Sequence, residues 1–543
     1  MPANNDTKEE VTTHENGVVP STTTQAMKDV ESMGDAKSTV SQHDEKKLLR
    51  KLDLRLLPIL CGLYLLGYLD RSNIGNAKLG GLLTDLNLTT DQFQWCLSIF
   101  YFGYVIFDIP SNIIMKRWRP SFWLATLTFT WGIVAMCMAA VKDFAGLLVC
   151  RLMLGILEAG FFPGVLFFLS IWYKRREYGR RVSYFWSFSS LAGAFGGLIA
   201  YGIAKIPTHI LNTLFIIEGA PSVVLALFAA WYLPNNPETA KFLSTDEREL
   251  EVSRLATDQG PANDHSWSWP RAVSVFTDYK TYTFMFIYIT GTSALQGVTL
   301  FLPSIISGMG QWDRAASQAL TTPPYFLAFI LTNVAGWSSD RFFDRAYHMV
   351  GINLIGMAGF LMLMFIPEGQ VGVRYFAACV CTVAVYANVP VKVAWFNNNF
   401  AGLTRRALAS AAIVAIGTIG GAIGGQIYFD EPLYFGGNTI AFCCLGAQTI
   451  ADLGLRFMLA RENKRRDKLT QEQKEYEIFK HGGEELAGDR HPDFRYKESW
   501  TTWVYKTAIH AAADSDDMSK EGIVVAVVVN ASDGTETVMD DDQ

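Results

Sequence analysis

The feature that most limits what this chain can become is a series of apolar runs, each about 20 residues long, separated by polar breaks. A run of that length crosses the hydrocarbon core of a bilayer as one helix. Half of the 543 residues are hydrophobic and only 18% are charged, where a soluble chain carries about a quarter. The sequence therefore reads as a polytopic membrane protein. The runs give twelve spans, at 54–77, 93–115, 122–141, 144–173, 178–203, 213–233, 279–306, 323–339, 347–366, 373–396, 403–428 and 438–460. Lipid offers backbone groups no hydrogen bonds, so each span has to be helical.

The basic residues give the orientation. Lys46, Lys47, Arg50, Lys51 and Arg55 precede the first span, and Lys116, Arg117 and Arg119 fill the second inter-span loop. Lys174, Arg175, Arg176, Arg180 and Arg181 fill the fourth, and Arg341, Arg345, Arg405, Arg406 and the Arg461–Arg466 cluster continue the alternation. The intervening loops hold only Lys78, Lys142, Lys205 and Arg314, with Arg374 at a boundary. Positive loops stay inside, which predicts cytoplasmic termini and a cytoplasmic central loop. The expected fold is all-α, twelve transmembrane helices in two six-helix halves. Its parts are a disordered tail at 1–48, the halves at 49–233 and 277–461, a central loop at 234–276 and a polar tail at 462–543. The eight cysteines all fall in apolar segments and read as core residues rather than a disulfide framework. No secretory signal, Walker loop or catalytic triad stands out, which argues against an enzyme or a nucleotide-driven pump.

Polar residues inside the spans are few enough to weigh singly. The first span carries Asp70-Arg71-Ser72-Asn73-Ile74-Gly75-Asn76-Ala77. A charge within the bilayer costs about 2.5–3.5 kcal/mol on insertion scales, so such residues face a cavity or a partner. On a helix Asp70, Asn73 and Ala77 share a face, with Arg71 and Asn76 on its flanks. In the fourth span Arg151 and Glu158 lie seven apart, on one face but about 10 Å from each other. They are too distant to pair directly and are candidate partners for Asp70 and Arg71. Of the acids, Glu158 among apolar neighbours is the better proton carrier, and Asp70 beside Arg71 is held ionised. Arg71 and Arg151 suit an anion, because a guanidinium grips a carboxylate with two parallel hydrogen bonds. Pro163 should loosen the helix just beyond Glu158, and Gly155, Gly160 and Gly164 should let helices approach closely. Asp108 and Glu218, near membrane ends, read as structural.

In the second half, Lys392 of the tenth span either snorkels or meets substrate. Tyr288, Gln296 and Thr299 of the seventh are candidate cavity residues, with Gln296 assigned to substrate along with Asn73. The glycines between 417 and 425 read as helix packing. Between spans eight and nine, Gly336-Trp337-Ser338-Ser339-Asp340-Arg341-Phe342-Phe343-Asp344-Arg345 has the form Gly-x-x-x-Asp-Arg followed by basic residues. Asp340, Arg341 and Arg345 are assigned to gating, with the Asp capping one helix and the Arg residues pairing across the two halves.

That loop resembles the cytoplasmic motif of the major facilitator superfamily. Together with the Asp70–Ala77 and Arg151–Gly164 stretches, Phe107–Asn112, Glu218-Gly219, Trp395–Arg406 and the tail stretch Gly488–Tyr496, it makes the chain similar to the anion:cation symporter family. Within that family it resembles the fungal allantoate permease subfamily, whose members carry allantoate, nicotinate, pantothenate and biotin. The resemblance implies a proton-coupled symporter of small organic anions, with coupling on Asp70, Arg71 and Glu158 and with Arg151 as the fourth-span arginine. The sequence departs from the family at Asp108, commonly Glu, at Leu403 and Arg405, commonly His and Lys, and at Thr418, commonly Asn. The last bears on the cavity and hence on substrate identity. The expected partners are a small carboxylate, protons and the lipid bilayer of the plasma membrane, with no cofactor, no metal and no nucleic acid, in a monomer. The rival readings are a proton-independent exchanger or efflux carrier and a transporter-like nutrient sensor.

Overall fold

The protein is described here by a computed structural model, which covers residues 22–204, 210–259, 269–310, 312–342, 344–400, 403–430, 433–480, 490–494 and 496. It is all helical over these residues. Residues up to Leu54 and residues from Arg55 onward are separate units. Of the first, helix α1 (Thr22–Gly80) is described from Thr22, so residues 1–21 of the predicted tail lie outside the described residues. Everything below concerns the second unit.

There the chain continues as α2 (Leu82–Asp85), α3 (Thr90–Arg117), α4 (Pro120–Cys137), α5 (Phe144–Glu158), α6 (Phe161–Trp172), α7 (Arg175–Ala204) and α8 (Ile210–Tyr232). Helices α9 (Thr245–Gln259) and α10 (Trp269–Phe276) occupy the central loop. The second half comprises α11 (Tyr279–Ser307), α12 (Arg314–Ala319), α13 (Thr322–Phe342), α14 (Ala346–Phe365), α15 (Val371–Asn399), α16 (Leu403–Gly424) and α17 (Phe435–Asp467), followed by α18 (Gln471–Lys480). Nine segments among the described residues are long and apolar enough to cross a membrane. The second, eighth and eleventh predicted spans coincide with α3, α13 and α16, which have the length of a span but fall outside those nine.

The predicted fourth span is broken. Ala159 leaves the helix with ψ 139°, and Gly160 takes φ +80°, a conformation open chiefly to glycine. The chain restarts as α6, so Pro163 sits at its third position, where a missing N–H costs nothing. The break comes from Gly160, ahead of the proline that the sequence pointed to.

Close backbone approaches hold the bundle together. A side chain at Gly155 would run into the Phe100 carbonyl of α3, one at Gly420 into Ile289, and one at Gly424 into Ser293. The packing role read for these glycines is seen. At the basic end, Arg254 of α9 bonds Glu251 at 2.6 Å and Glu177 at 3.0 Å, tying the central loop to the start of α7. Burial pushes the Glu251 carboxyl up from its ordinary value, with Arg254 opposing. Tyr496 is held by Lys280 at 2.9 Å and Arg466 at 3.1 Å, so the tail motif docks on the bases of α11 and α17.

Candidate functional site

The two halves meet around a small cavity. Its wall from the first half is mostly aromatic: Tyr64, Tyr101, Tyr104, Phe161, Phe162 and Trp186, with Arg71 and Glu158 as the charges. The second half contributes Tyr288, Thr292, Leu295, Gln296, Val389, Val414 and Thr418. Tyr64 stacks on Phe185 at 4.3 Å, and Phe162 meets Trp186 edge-on at 5.5 Å, which fixes the ring planes. Gly417 and Gly421 leave room for the rings of Tyr288 and Tyr101.

Arg71 reaches across from α1 to the last residue of α5 and donates from Nη2 to Glu158 Oε1 at 2.5 Å. The rings of Phe100, Tyr104 and Tyr68 surround the guanidinium at 5.0, 5.2 and 5.6 Å, each adding cation–π attraction. Its side chain is 13% exposed, so it opens on the cavity. The pair is incompletely satisfied: Arg71 Nε and Glu158 Oε2 have no hydrogen-bond partner among the described residues. Glu158 also ends a helix, where the backbone dipole works against its charge and Arg71 supplies the compensation. Arg151, two turns earlier on α5, is 2% exposed, with Nε and Nη2 unpartnered among the described residues.

Asp70 does not join Arg71. Neighbours on a helix diverge by about 100°, and Asp70 turns to α8, where the Ser222 hydroxyl donates to it at 3.0 Å. Asn73 follows it and is buried outside the cavity lining. Asp108 is fully buried on α3 and receives the Asn112 amide at 3.1 Å. The Gly160 N–H at the start of α6 faces it, so it serves the helix break.

Lys392 does not snorkel. It is buried on α15 with its ammonium 4.7 Å from the centre of the Tyr288 ring, which separates it from the cavity. Its counter-charge is Asp452 of α17, fully buried. A chain of amides ties the group together: Asn353 donates to Asp452 at 3.3 Å, Asn388 to Asn353 at 2.6 Å, and Gln448 to Asn388 at 3.0 Å.

The cross-half ties concentrate at the end away from the basic loops. Ser98 donates to the Ala422 carbonyl, Gln426 to Ser98, Gln94 to the Tyr428 carbonyl, Gln318 to the Asn76 carbonyl and Thr322 to the Ala194 carbonyl. At the basic end Arg345 pairs with Asp340 at 2.8 Å inside its own loop, and Asp340 lies beside Gly179 in the first turns of α7. Arg341 is exposed, over the Trp337 ring at 5.7 Å. Asp340 thus lies against the opposite half, while Arg345 turns back to Asp340.

Of the residues singled out from sequence, Arg71, Glu158, Gln296, Tyr288 and Thr418 share the cavity wall. Arg151, Asp70, Asn73 and Lys392 are buried behind it, and Thr299 bonds Tyr386 instead. The aromatic lining, Asp452 and the burial of Glu218 escaped the sequence reading. A carboxylate in the twelfth apolar run was the available signal for Asp452.

Residues 60–425 match the Major Facilitator Superfamily. A 400-residue stretch is 36% identical to the MFS transporter prlL of a fungal species, covering 72% of this chain and 81% of that one. The high-affinity nicotinic acid transporter of Saccharomyces cerevisiae is 31% identical over 83% of this chain and 85% of its own. Among solved structures, the xylose transporter XylE of E. coli, in a partially occluded inward open conformation, superposes with a TM-score of 0.58 at 14% identity, over 74% of this chain and 97% of that one. It speaks to the fold alone.

Proposed function

The chain belongs to the major facilitator superfamily and is a multi-pass membrane transporter; from that premise we propose that it is a proton-coupled symporter importing a small planar carboxylate of the nicotinate type. The observation that carries this reading is the Arg71–Glu158 pair on the wall of an aromatic cavity between the halves. A flat ring would stack on Tyr64, Phe161, Phe162 and Trp186 as they open around it, with its carboxylate meeting the Arg71 guanidinium. The similarity to a nicotinic acid transporter supports the same ligand class, as does the resemblance to the allantoate permease subfamily. Cytoplasmic termini, a plasma-membrane address and a monomer belong to this reading too.

The coupling follows from competition. While Glu158 is ionised it occupies Arg71. A proton taken from outside neutralises Glu158 and frees the guanidinium, which then holds the substrate carboxylate through two parallel hydrogen bonds. Arg151, with its unpartnered nitrogens between the two acids, offers Asp70 and Glu158 an alternative partner as the cycle proceeds. Anion and proton therefore enter together, and the loaded, neutralised site can rock between the two sides. Gln296 and Thr418 supply polar contacts from the second half. Asp340, Arg341 and Arg345 act at the inner gate, and the ties around Ser98, Gln94, Gln318 and Thr322 form the outer one, shut in this state.

The test is uptake of labelled nicotinate, allantoate and pantothenate into cells lacking their own carriers, at acid and neutral outer pH. Saturable nicotinate uptake, larger at acid pH and collapsed by a protonophore, is expected. Uptake indifferent to the protonophore would replace symport with exchange, and surface-expressed protein that moves none of the three would remove the ligand class.

A further inference from the structure

Glu218 sits on α8, which runs antiparallel to the first span. Three contacts fix the register. Gly62 lies against Leu225, Asp70 accepts from Ser222, and one turn further along Asn73 faces Glu218. The polar face of the first span, Asp70 and Asn73, therefore meets Ser222 and Glu218 rather than the cavity. Glu218 is 2% exposed, and neither of its carboxyl oxygens has a hydrogen-bond partner among the described residues.

Buried acids outnumber buried bases in the first half. Four buried carboxyl groups, Asp70, Asp108, Glu158 and Glu218, stand against the guanidinium groups of Arg71 and Arg151, with Arg181 buried apart at the basic end of α7. Glu158 has Arg71. Asp108 has the Asn112 amide and the Gly160 N–H. Asp70 has the Ser222 hydroxyl and the field of Arg151. Glu218 has no cation: the Asn73 amide faces it, and the charge that acts on it is that of Asp70, of its own sign. Helix α4, packed along α8, carries Cys137 as its one titratable residue, and it is exposed. The outer end of α7 carries Tyr201. A bare carboxylate in such a place gives way to its neutral acid.

We propose that Glu218 is a second proton-binding site of the transporter, holding a proton in this state and exchanging it with Asp70 across the α1–α8 contact. The proton moves from the Glu218 oxygen to the Asp70 carboxylate, leaving the Glu218 anion, and returns by the same route. From Asp70, Arg151 and Glu158 lead on to the cavity. This rests on the proton coupling proposed above and adds a carrier outside the substrate wall. A purely structural acid in the same place would never release its proton.

Infrared difference spectra of the full-length protein in lipid, recorded from about pH 5 to about pH 10, read this directly through the carbonyl stretch of buried protonated carboxyl groups. One band is expected to fade within that range and to be missing in Glu218→Gln. Ser222→Ala, which keeps both carboxyl groups, and Asp70→Asn should each move the pH at which it fades. A Glu218→Gln spectrum equal to wild type, or a Glu218 band that persists at every pH, overturns the proposal. So does a fading pH indifferent to Ser222→Ala, which tests the point even if Glu218→Gln does not fold. The spectra need no substrate, so failure of the symport reading and failure of this site are seen separately. Where wild type does couple, Glu218→Gln should carry one proton fewer per nicotinate.

Discussion

Glu158→Gln separates binding from coupling, and its effect can be sized from the site. An incoming carboxylate must take Arg71 away from Glu158, whose bond to Nη2 is 2.5 Å long. A hydrogen bond between charged groups contributes about 1.5–3 kcal/mol net. The aromatic cage of Phe100, Tyr104 and Tyr68 is the same before and after, so it cancels. Glutamine leaves Arg71 without its competing anion, and the saved displacement should tighten nicotinate binding by about tenfold to a hundredfold. In wild type the competitor is present when Glu158 is ionised and absent when it is protonated, so affinity should fall as pH rises. In the variant the dependence should be flat. Equilibrium binding of labelled nicotinate to purified protein across acid and neutral pH measures both, and uptake in cells should show that concentration against a gradient is lost. Weaker binding, or a retained pH slope, would refute the idea that Glu158 and substrate compete for Arg71.

Two further outcomes follow from the packing. Gly160→Ala forces a left-handed backbone on alanine, at about 1–2 kcal/mol, and drives a methyl group into the Ser111 side chain; a lowered melting temperature with loss of uptake is expected, and an unchanged protein would mean that the helix break is dispensable. Lys392→Met leaves Asp452 without the cation that acts on it and should lower the melting temperature, while Lys392→Met with Asp452→Asn should recover much of the loss; equal losses in the single and double variants would show that the two charges do not act together.

The helices were legible because their cause is local: an apolar run of span length has few alternatives in lipid. The Arg71–Glu158 pairing was legible for a related reason, since intramembrane charges seek each other and few were on offer. Asp70 was misjudged as the partner of Arg71 because adjacency in sequence was weighed above the angle between helical neighbours. Glu218 looked like a residue at a membrane end, and only the register of α8 against α1 buries it. Tyr64, Phe162 and Trp186 were invisible as cavity residues, because an aromatic side chain in an apolar run reads the same whether it faces lipid, core or substrate. The break at Gly160 was masked by Pro163, the stronger helix breaker in general but harmless in a first turn.

The two halves place their buried charges differently: Arg71 and Glu158 of the first open on the cavity, while Lys392 and Asp452 of the second lie away from its wall. Lys392 and Asp452 are opposite charges inside the second half, with Asn353, Asn388 and Gln448 bonded in a chain to Asp452 and Tyr288 between Lys392 and the cavity. Such a group resists change, because altering either charge strands the other. In the first half, unfilled bonding capacity at Arg71 and Glu158 lies on the cavity wall, with Arg151 and Glu218 buried behind it. Unfilled capacity at a buried charge is unstable against any proton or anion that can complete it. It also lies next to the Gly160 break, where the backbone of the fourth span is no longer continuous. In the proposed cycle a proton arriving at Glu158 changes the charge at the end of α5, beside the break at Gly160. On the symport reading, the proton carrier of the first half and its interrupted helix coincide at the end of α5.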